Sequence, residues 1–191
     1  MDDLLRTEDF GALAYYCEQE ELKAMGGVAS AQVYSTLLGV YLLQNELDHA
    51  KLLWQRIPES MKQDSREIGE LWEIGKRLWR RDFSAVYELA KNPEWPPYLE
   101  SIVSGLVAKL RERLLILVGK AYTTIRVPDL CTLLGQSEAE IKQMSVERSW
   151  DFDDQRNVIL PKPIKVLEGE LLQEHKERLQ KLTDIISFLE N

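Results

Sequence analysis

Apolar residues that recur at steps of three and four run through the first two thirds of this chain, and that spacing admits little other than packed helices. Over residues 29–44, Val33, Leu37, Leu38, Tyr41 and Leu42 fall on one helical face. A turn over 45–48 follows, after which Ala50, Leu53, Trp54 and Ile57 resume the helical step until Pro58 stops it. Two antiparallel helices with a short connection are expected. The arrangement then recurs, with Ile68, Leu71, Trp72, Gly75, Leu78 and Trp79 on one face of residues 65–79, and Phe83, Val86 and Tyr87 within 82–90. Asp48, Ala50 and Leu53 align with Asp82, Ser84 and Tyr87 at an offset of 34 residues, the period of a tetratricopeptide-type repeat. The repeat is degenerate, because Gly39 and Gly75 stand 36 residues apart.

The run Asn-Pro-Glu-Trp-Pro-Pro over 92–97 must interrupt any helix, since each proline removes a donor and biases the residue before it away from helical backbone. Leu99, Ile102, Val103, Leu106, Leu110, Leu114, Leu117 and Val118 then mark a long helix reaching towards Tyr122. Beyond 122 the period changes. A β-branched run over 123–127 precedes Pro128 at a first helical position, and the short helix that follows stops at Gly135. Ser137 and Glu140 form a capping-box signature for a second helix through Ile141, Met144 and Arg148. Trp150 and Phe152 alternate with Asp151 and Asp153, a polar turn covers 154–157, and Val158 to Leu160 completes a hairpin. Strand, helix, helix, hairpin is the order of a winged helix. After a weakly periodic linker over 161–169, Leu172, His175, Leu179, Leu182, Ile186 and Leu189 follow a heptad seam.

The expected architecture is therefore mainly α: a helical-repeat, tetratricopeptide-like region (1–97), a connecting helix (98–122), a small winged-helix subdomain (123–163), and a linker with a C-terminal helix (164–191). The charge balance bears on partners. The chain carries 24 Lys and Arg against 32 Asp and Glu, a net of −8, with −7 of it in residues 1–100. Such a field repels nucleic acid and anionic membranes unless a local basic face overrides it. The expected recognition helix is itself acidic, with Glu138, Glu140 and Glu147 against Lys142 and Arg148. No stretch approaches a membrane span, the first residues lack the basic start of a signal peptide, and two distant cysteines, Cys17 and Cys131, fit a reducing compartment. A cytoplasmic and nuclear protein is expected.

Catalytic, metal and cofactor chemistry finds no footing. His49 and His175 are isolated, the glycines form no phosphate loop, and the Asp151, Asp153, Asp154 group lacks the pattern of a calcium loop. Cys131 reads as a buried structural thiol, and Arg77, Arg80 and Arg81 as a cluster paired with acidic neighbours or capping a helix end. Of the five tryptophans, Trp54, Trp72 and Trp79 lie on repeat faces and are expected in the core, whereas Trp95 in the proline-rich break is the candidate for exposure.

The ordered set of segments Tyr41-Leu42-Leu43-Gln44-Asn45, Leu52 to Pro58, Leu71 to Phe83, Ala121 to Ile125, Ser149-Trp150-Asp151-Phe152 and Leu182 to Asn191 resembles the small PCI-domain subunits of the COP9 signalosome. Nearly the whole chain takes part. The resemblance implies a non-catalytic scaffold of helical repeats capped by a winged helix, in the complex that removes a ubiquitin-like modifier from cullins and so regulates cullin-RING ubiquitin ligases. The isopeptidase chemistry of that complex belongs to a zinc metalloprotease subunit, whose ligand set is absent from this sequence. It implies no cofactor, metal, nucleic acid, membrane or small-molecule substrate, and other signalosome subunits as partners; a PCI scaffold of the proteasome lid or of translation initiation factor three is the alternative. In such a complex an edge strand presents unpaired backbone groups to a neighbour, which would place Trp150, Phe152, Val158 and Leu160 in the contact. The seam residues Leu179, Leu182, Ile186 and Leu189 would supply a second contact, or fold back on the chain's own winged helix.

Overall fold

The computed structural model describes residues 9–24, 28–91, 95–153 and 156–162, together with Leu179 and Thr183. Its elements are α1 (Phe10–Lys23), α2 (Ala31–Gln44), α3 (Leu47–Arg56), α4 (Glu59–Asp64), α5 (Arg66–Arg80), α6 (Phe83–Ala90), α7 (Pro97–Ala121), β1 (Ile125–Arg126), α8 (Val127–Leu134), α9 (Glu138–Glu147), β2 (Asp151–Asp153) and β3 (Val158–Leu160).

Helix α2 is apolar on every side, and a helix of that composition needs neighbours all round. It has them, because every residue from Tyr34 to Leu43 is buried and α1, α3, α5 and α7 all pack against it. Glycine sets how close two of these neighbours come. A Cβ on Gly39 would lie 3.0 Å from Ile102 Cγ2 of α7, and one on Gly105 would lie 3.1 Å from Leu43 Cδ1, so at both places a side chain of one helix sits directly over a glycine of the other.

Local rules account for the helix ends. The Ser30 hydroxyl accepts from Val33 N–H, and the Asp82 carboxylate accepts from Ala85 N–H. Asn45 and Arg81 close α2 and α5 in the left-handed region (φ 65° and 58°), the αL form of helix termination. Polar side chains then tie helices together across the bundle. Tyr41 donates to Glu18 at 2.7 Å, and Arg56 donates twice to the Glu21 carboxylate. Tyr98 donates to Glu67 at 2.5 Å and shares a 3.2 Å hydrogen bond with Ser35; burial and then the Glu67 carboxylate push its phenol up to about 12. Arg113 reaches from α7 to Leu43 O.

The three strands form one antiparallel sheet of order β1-β3-β2. Ile125 pairs with Ile159 and Ile159 with Phe152, so these three side chains form a row across one face. That row joins Val127, Leu130, Leu134, Ile141 and Trp150 in the core under the sheet.

A mainly helical chain was expected and is observed. Two helices went unforeseen, α1 and α4, the latter only six residues long with no buried residue. Residues 163–169 of the linker expected over 161–169, and most of the C-terminal seam, His175 included, lie outside the described residues.

Candidate partner-binding interface

The sheet is held on the bundle by a compact knot around Tyr87. Its hydroxyl, on α6, donates to Leu133 O at 3.2 Å, while the Arg111 guanidinium from α7 sits 5.3 Å from the ring centroid. Arg111 also donates to Leu134 O (3.0 Å) and Gly135 O (3.3 Å), so one cation satisfies the carbonyls left open at the end of α8. Burial raises the Tyr87 phenol to about 12 although Arg111 pulls the other way.

From that knot the chain builds the sheet outward. The capping box opens α9, where Ser137 N–H donates to Glu140 at 2.7 Å and Glu140 N–H to Ser137 Oγ. The Ser137 N–H, and then the Ser137 hydroxyl donating at 2.8 Å, hold the exposed Glu140 carboxyl below its ordinary range. Trp150 N–H donates to Ser145 O, and Ser149 takes a left-handed turn (φ 55°) that sends the chain back into β2. Asn157, also left-handed (φ 51°), leads into β3, and its carbonyl accepts from Val127 N–H.

The register decides which side chains a partner can reach. Arg126, Val158 and Asp153 form one cross-strand row, and Leu160 pairs with Asp151 beside it. Because side chains alternate along a strand, this set faces away from the Ile125–Ile159–Phe152 row. Val158 is half-buried and Leu160 37% exposed. The charges around them are paired locally, Lys162 with Asp151 at 3.0 Å and Arg126 with Asp129 at 3.2 Å. Two aliphatic side chains in a frame of compensated charge can meet a neighbouring protein without stranding a charge.

This geometry corrects part of the sequence reading. Val158 and Leu160 are on the central strand; the edges are β1 and β2, so backbone pairing could be offered by Ile125–Arg126 or Asp151–Asp153 and not by β3. Trp150 is only 6% exposed, because the turn at Ser149 drives its ring into the chain's own core, and it has no surface to present. Phe152 is half-buried against that core, with Lys142 Nζ 5.2 Å from its ring centroid. Leu179 is helical and 64% exposed, and Thr183 Oγ1 donates to its carbonyl. Leu182, Ile186 and Leu189 lie outside the described residues.

The tryptophans exchange roles as well. Trp54 and Trp72 stack at 5.0 Å and are half-buried, but Trp79 is 55% exposed because no element among the described residues covers the end of α5 where it stands. Trp95, expected at the surface, packs against the core, and its buried indole N–H has no hydrogen-bond partner among the described residues. Arg77 is paired, with Asp82 at 3.2 Å and with Glu73, whereas Arg80 and Arg81 make no ion pair among the described residues. Cys131 is partly rather than fully buried. His49 sits on the surface beside Glu46 at 3.0 Å. Among the described residues no group of three metal-ligating side chains comes together, and no helix is long and apolar enough to cross a membrane.

The described residues form a helical bundle that ends in a small three-stranded sheet, with Val158 and Leu160 on its outer face. The family follows from the sequence comparison: the model of the CSN8/PSMD8/EIF3K family matches residues 28–168, and the chain belongs to that family. It is 35% identical over 187 residues to the COP9 signalosome complex subunit 8 of Xenopus laevis, covering 95% of this chain and 93% of the relative. The protein of the same name from Drosophila melanogaster is 35% identical over 84% of this chain and 87% of its own length. That of Arabidopsis thaliana is 31% identical over 81% and 77%.

Proposed function

We propose that this chain is a non-catalytic scaffold subunit of the COP9 signalosome, helping to assemble the complex that removes a ubiquitin-like modifier from cullins in cytoplasm and nucleus. The observation that carries the reading is the near end-to-end similarity to proteins named as subunit 8 of that complex. In this reading residues 1–97 form a tetratricopeptide-like helical region, residues 98–122 the helix that joins it to a winged helix of residues 123–163, and the winged helix presents its outer sheet face and an edge strand to a PCI neighbour. Val158 and Leu160 supply the apolar contact. Residues 164–191 supply a second one through the seam of Leu179, Leu182, Ile186 and Leu189, whose heptad spacing suits a bundle of helices from several subunits.

Two paired substitutions test the assignment. Val158→Asp with Leu160→Asp places carboxylates in the sheet contact, and Leu182→Asp with Ile186→Asp does so in the seam. Each pair, expressed as a tagged full-length chain, should lose most co-purifying signalosome subunits by quantitative mass spectrometry while the purified chain keeps its melting temperature within a few degrees. Undiminished co-purification by both pairs would refute the assigned contacts. Recovery of proteasome-lid or initiation-factor subunits with the unaltered chain would move the scaffold to those assemblies, which the family also names.

A further inference from the structure

The exposed Trp79 is the wall of a groove whose lining, among the described residues, includes no part of the sheet. On one side of its ring, between α3 and α5, lies a depression of about 270 Å³ with Leu42, Ala50 and Gly75 in its floor, Trp72 opposite, and Lys51, Lys76 and Arg80 on the rim. Lys51 Nζ stands 5.5 Å from the Trp79 centroid. On the other side a second hollow carries Leu47, Phe83, Leu114 and Leu117 with Arg81 and Arg113, and Leu117 is 54% exposed.

Size and charge narrow the occupant. Small-molecule sites run from roughly 300 to 1,000 Å³, and the first hollow falls just below that range, which suits one large side chain from another protein. The rim is basic in a chain of net −8. Lys51, Arg80 and Arg81 make no ion pair among the described residues, while Lys76 is held by Glu73. The acids near the groove are mostly engaged, Glu73 with Lys76, Asp82 with Arg77 and Glu46 with His49, with Asp48 beside the last. An acidic ligand repelled by most of this surface would therefore be steered to this face. Tryptophan and arginine around an apolar depression are also the residues that dominate measured interface energies.

We propose that the Trp79 groove docks an acidic linear segment of a partner protein, one that inserts an aromatic or leucine side chain between Trp72 and Trp79 and lays its carboxylates against Lys51, Arg80 and Arg81. This contact is independent of the sheet and seam contacts and stands whether or not those hold.

The test uses the full chain and a fluorescein-labelled peptide, Gly-Glu-Asp-Phe-Asp-Glu-Leu-Glu-Asp, read by fluorescence anisotropy at low and high salt. Saturable binding should weaken as salt rises, and about tenfold for each of Trp79→Ala and Arg80→Glu, the loss of one hot-spot contact. Arg80→Glu alters no buried side chain, so it keeps the test decisive if Trp79→Ala lowers the melting temperature. The same peptide with alanine at Phe and Leu should bind about tenfold more weakly, and one with lysine at every acidic position should not bind. Absence of saturable binding, indifference to both substitutions, or equal binding of the lysine peptide would overturn the proposal. So would a concentration-dependent dimer in sedimentation that Trp79→Ala abolishes, which would give the face to a second copy of the chain.

Discussion

Gly135 stands where the bundle meets the sheet, and changing it to alanine should cost far more than an exposed loop glycine would. Its φ of +59° lies in the left-handed region, which costs a residue with a Cβ about 1–2 kcal/mol. The added methyl would also stand 2.7 Å from Tyr87 Cγ and 3.0 Å from Cε2, inside contact distance. The ring cannot easily retreat, since its hydroxyl is bonded to Leu133 O and Arg111 lies over it while holding Leu134 O and Gly135 O. Overpacking of that kind costs about 1–3 kcal/mol. The expected loss is about 2–5 kcal/mol, a large share of the roughly 5–15 kcal/mol that holds a domain folded. Urea unfolding followed by circular dichroism should show a lower midpoint with an unchanged slope. In a Tyr87→Leu background, where the ring is gone, the same Gly135→Ala change should cost about 1–3 kcal/mol less, leaving only the backbone part. A loss below about 1 kcal/mol in the original chain, or an equal loss in both backgrounds, would mean that the ring yields freely and that this joint is not tightly packed.

Two further outcomes are expected. Ser137→Ala should lower stability by about 1 kcal/mol at neutral pH by removing the cap of α9; because the Glu140 pKa is depressed in the folded chain, the Glu140 part of the box is present above the ordinary carboxyl pKa and lost as pH falls through the folded value. The melting difference between Ser137→Ala and the unaltered chain should accordingly shrink in acid, and a difference that grows there would contradict the assignment. Cys17 is fully buried, with its thiol pushed up to about 11 chiefly by desolvation, whereas Cys131 is partly open; a thiol reagent at pH 8 should label Cys131 in the folded chain and Cys17 only on unfolding, and early labelling of Cys17 would show that α1 opens locally.

Several elements could be read directly because their determinants sit within a few residues of one another. The stripe of α2, the capping box of Ser137 and Glu140 and the stop at Gly135 all depend on neighbours three or four positions away, and each stands where the spacing puts it. Helix α1 left a fainter trace, since Phe10, Leu13, Ala14 and Cys17 do keep helical steps but Tyr15, Tyr16 and Leu22 blur them with apolar groups on the exposed side. The short α4 has no fully buried residue, only Met61 packed partly against the core, and so carries no stripe.

The candidate interface was legible only in outline. Alternation marked Trp150 to Leu160 as a hairpin, but not that β3 would take the centre of the sheet, because that depends on Ile125 pairing with Ile159 from far away in the chain. The exchange between Trp79 and Trp95 has the same origin. By itself, the sequence determined where most helices begin and end, which residues are apolar enough to need cover, and that the chain resembles a family of complex subunits. Only the tertiary structure decided which of those residues are covered, since cover comes from elements remote in sequence: the bundle core takes Trp95, the turn at Ser149 buries Trp150, and nothing in the described fold closes over Trp79.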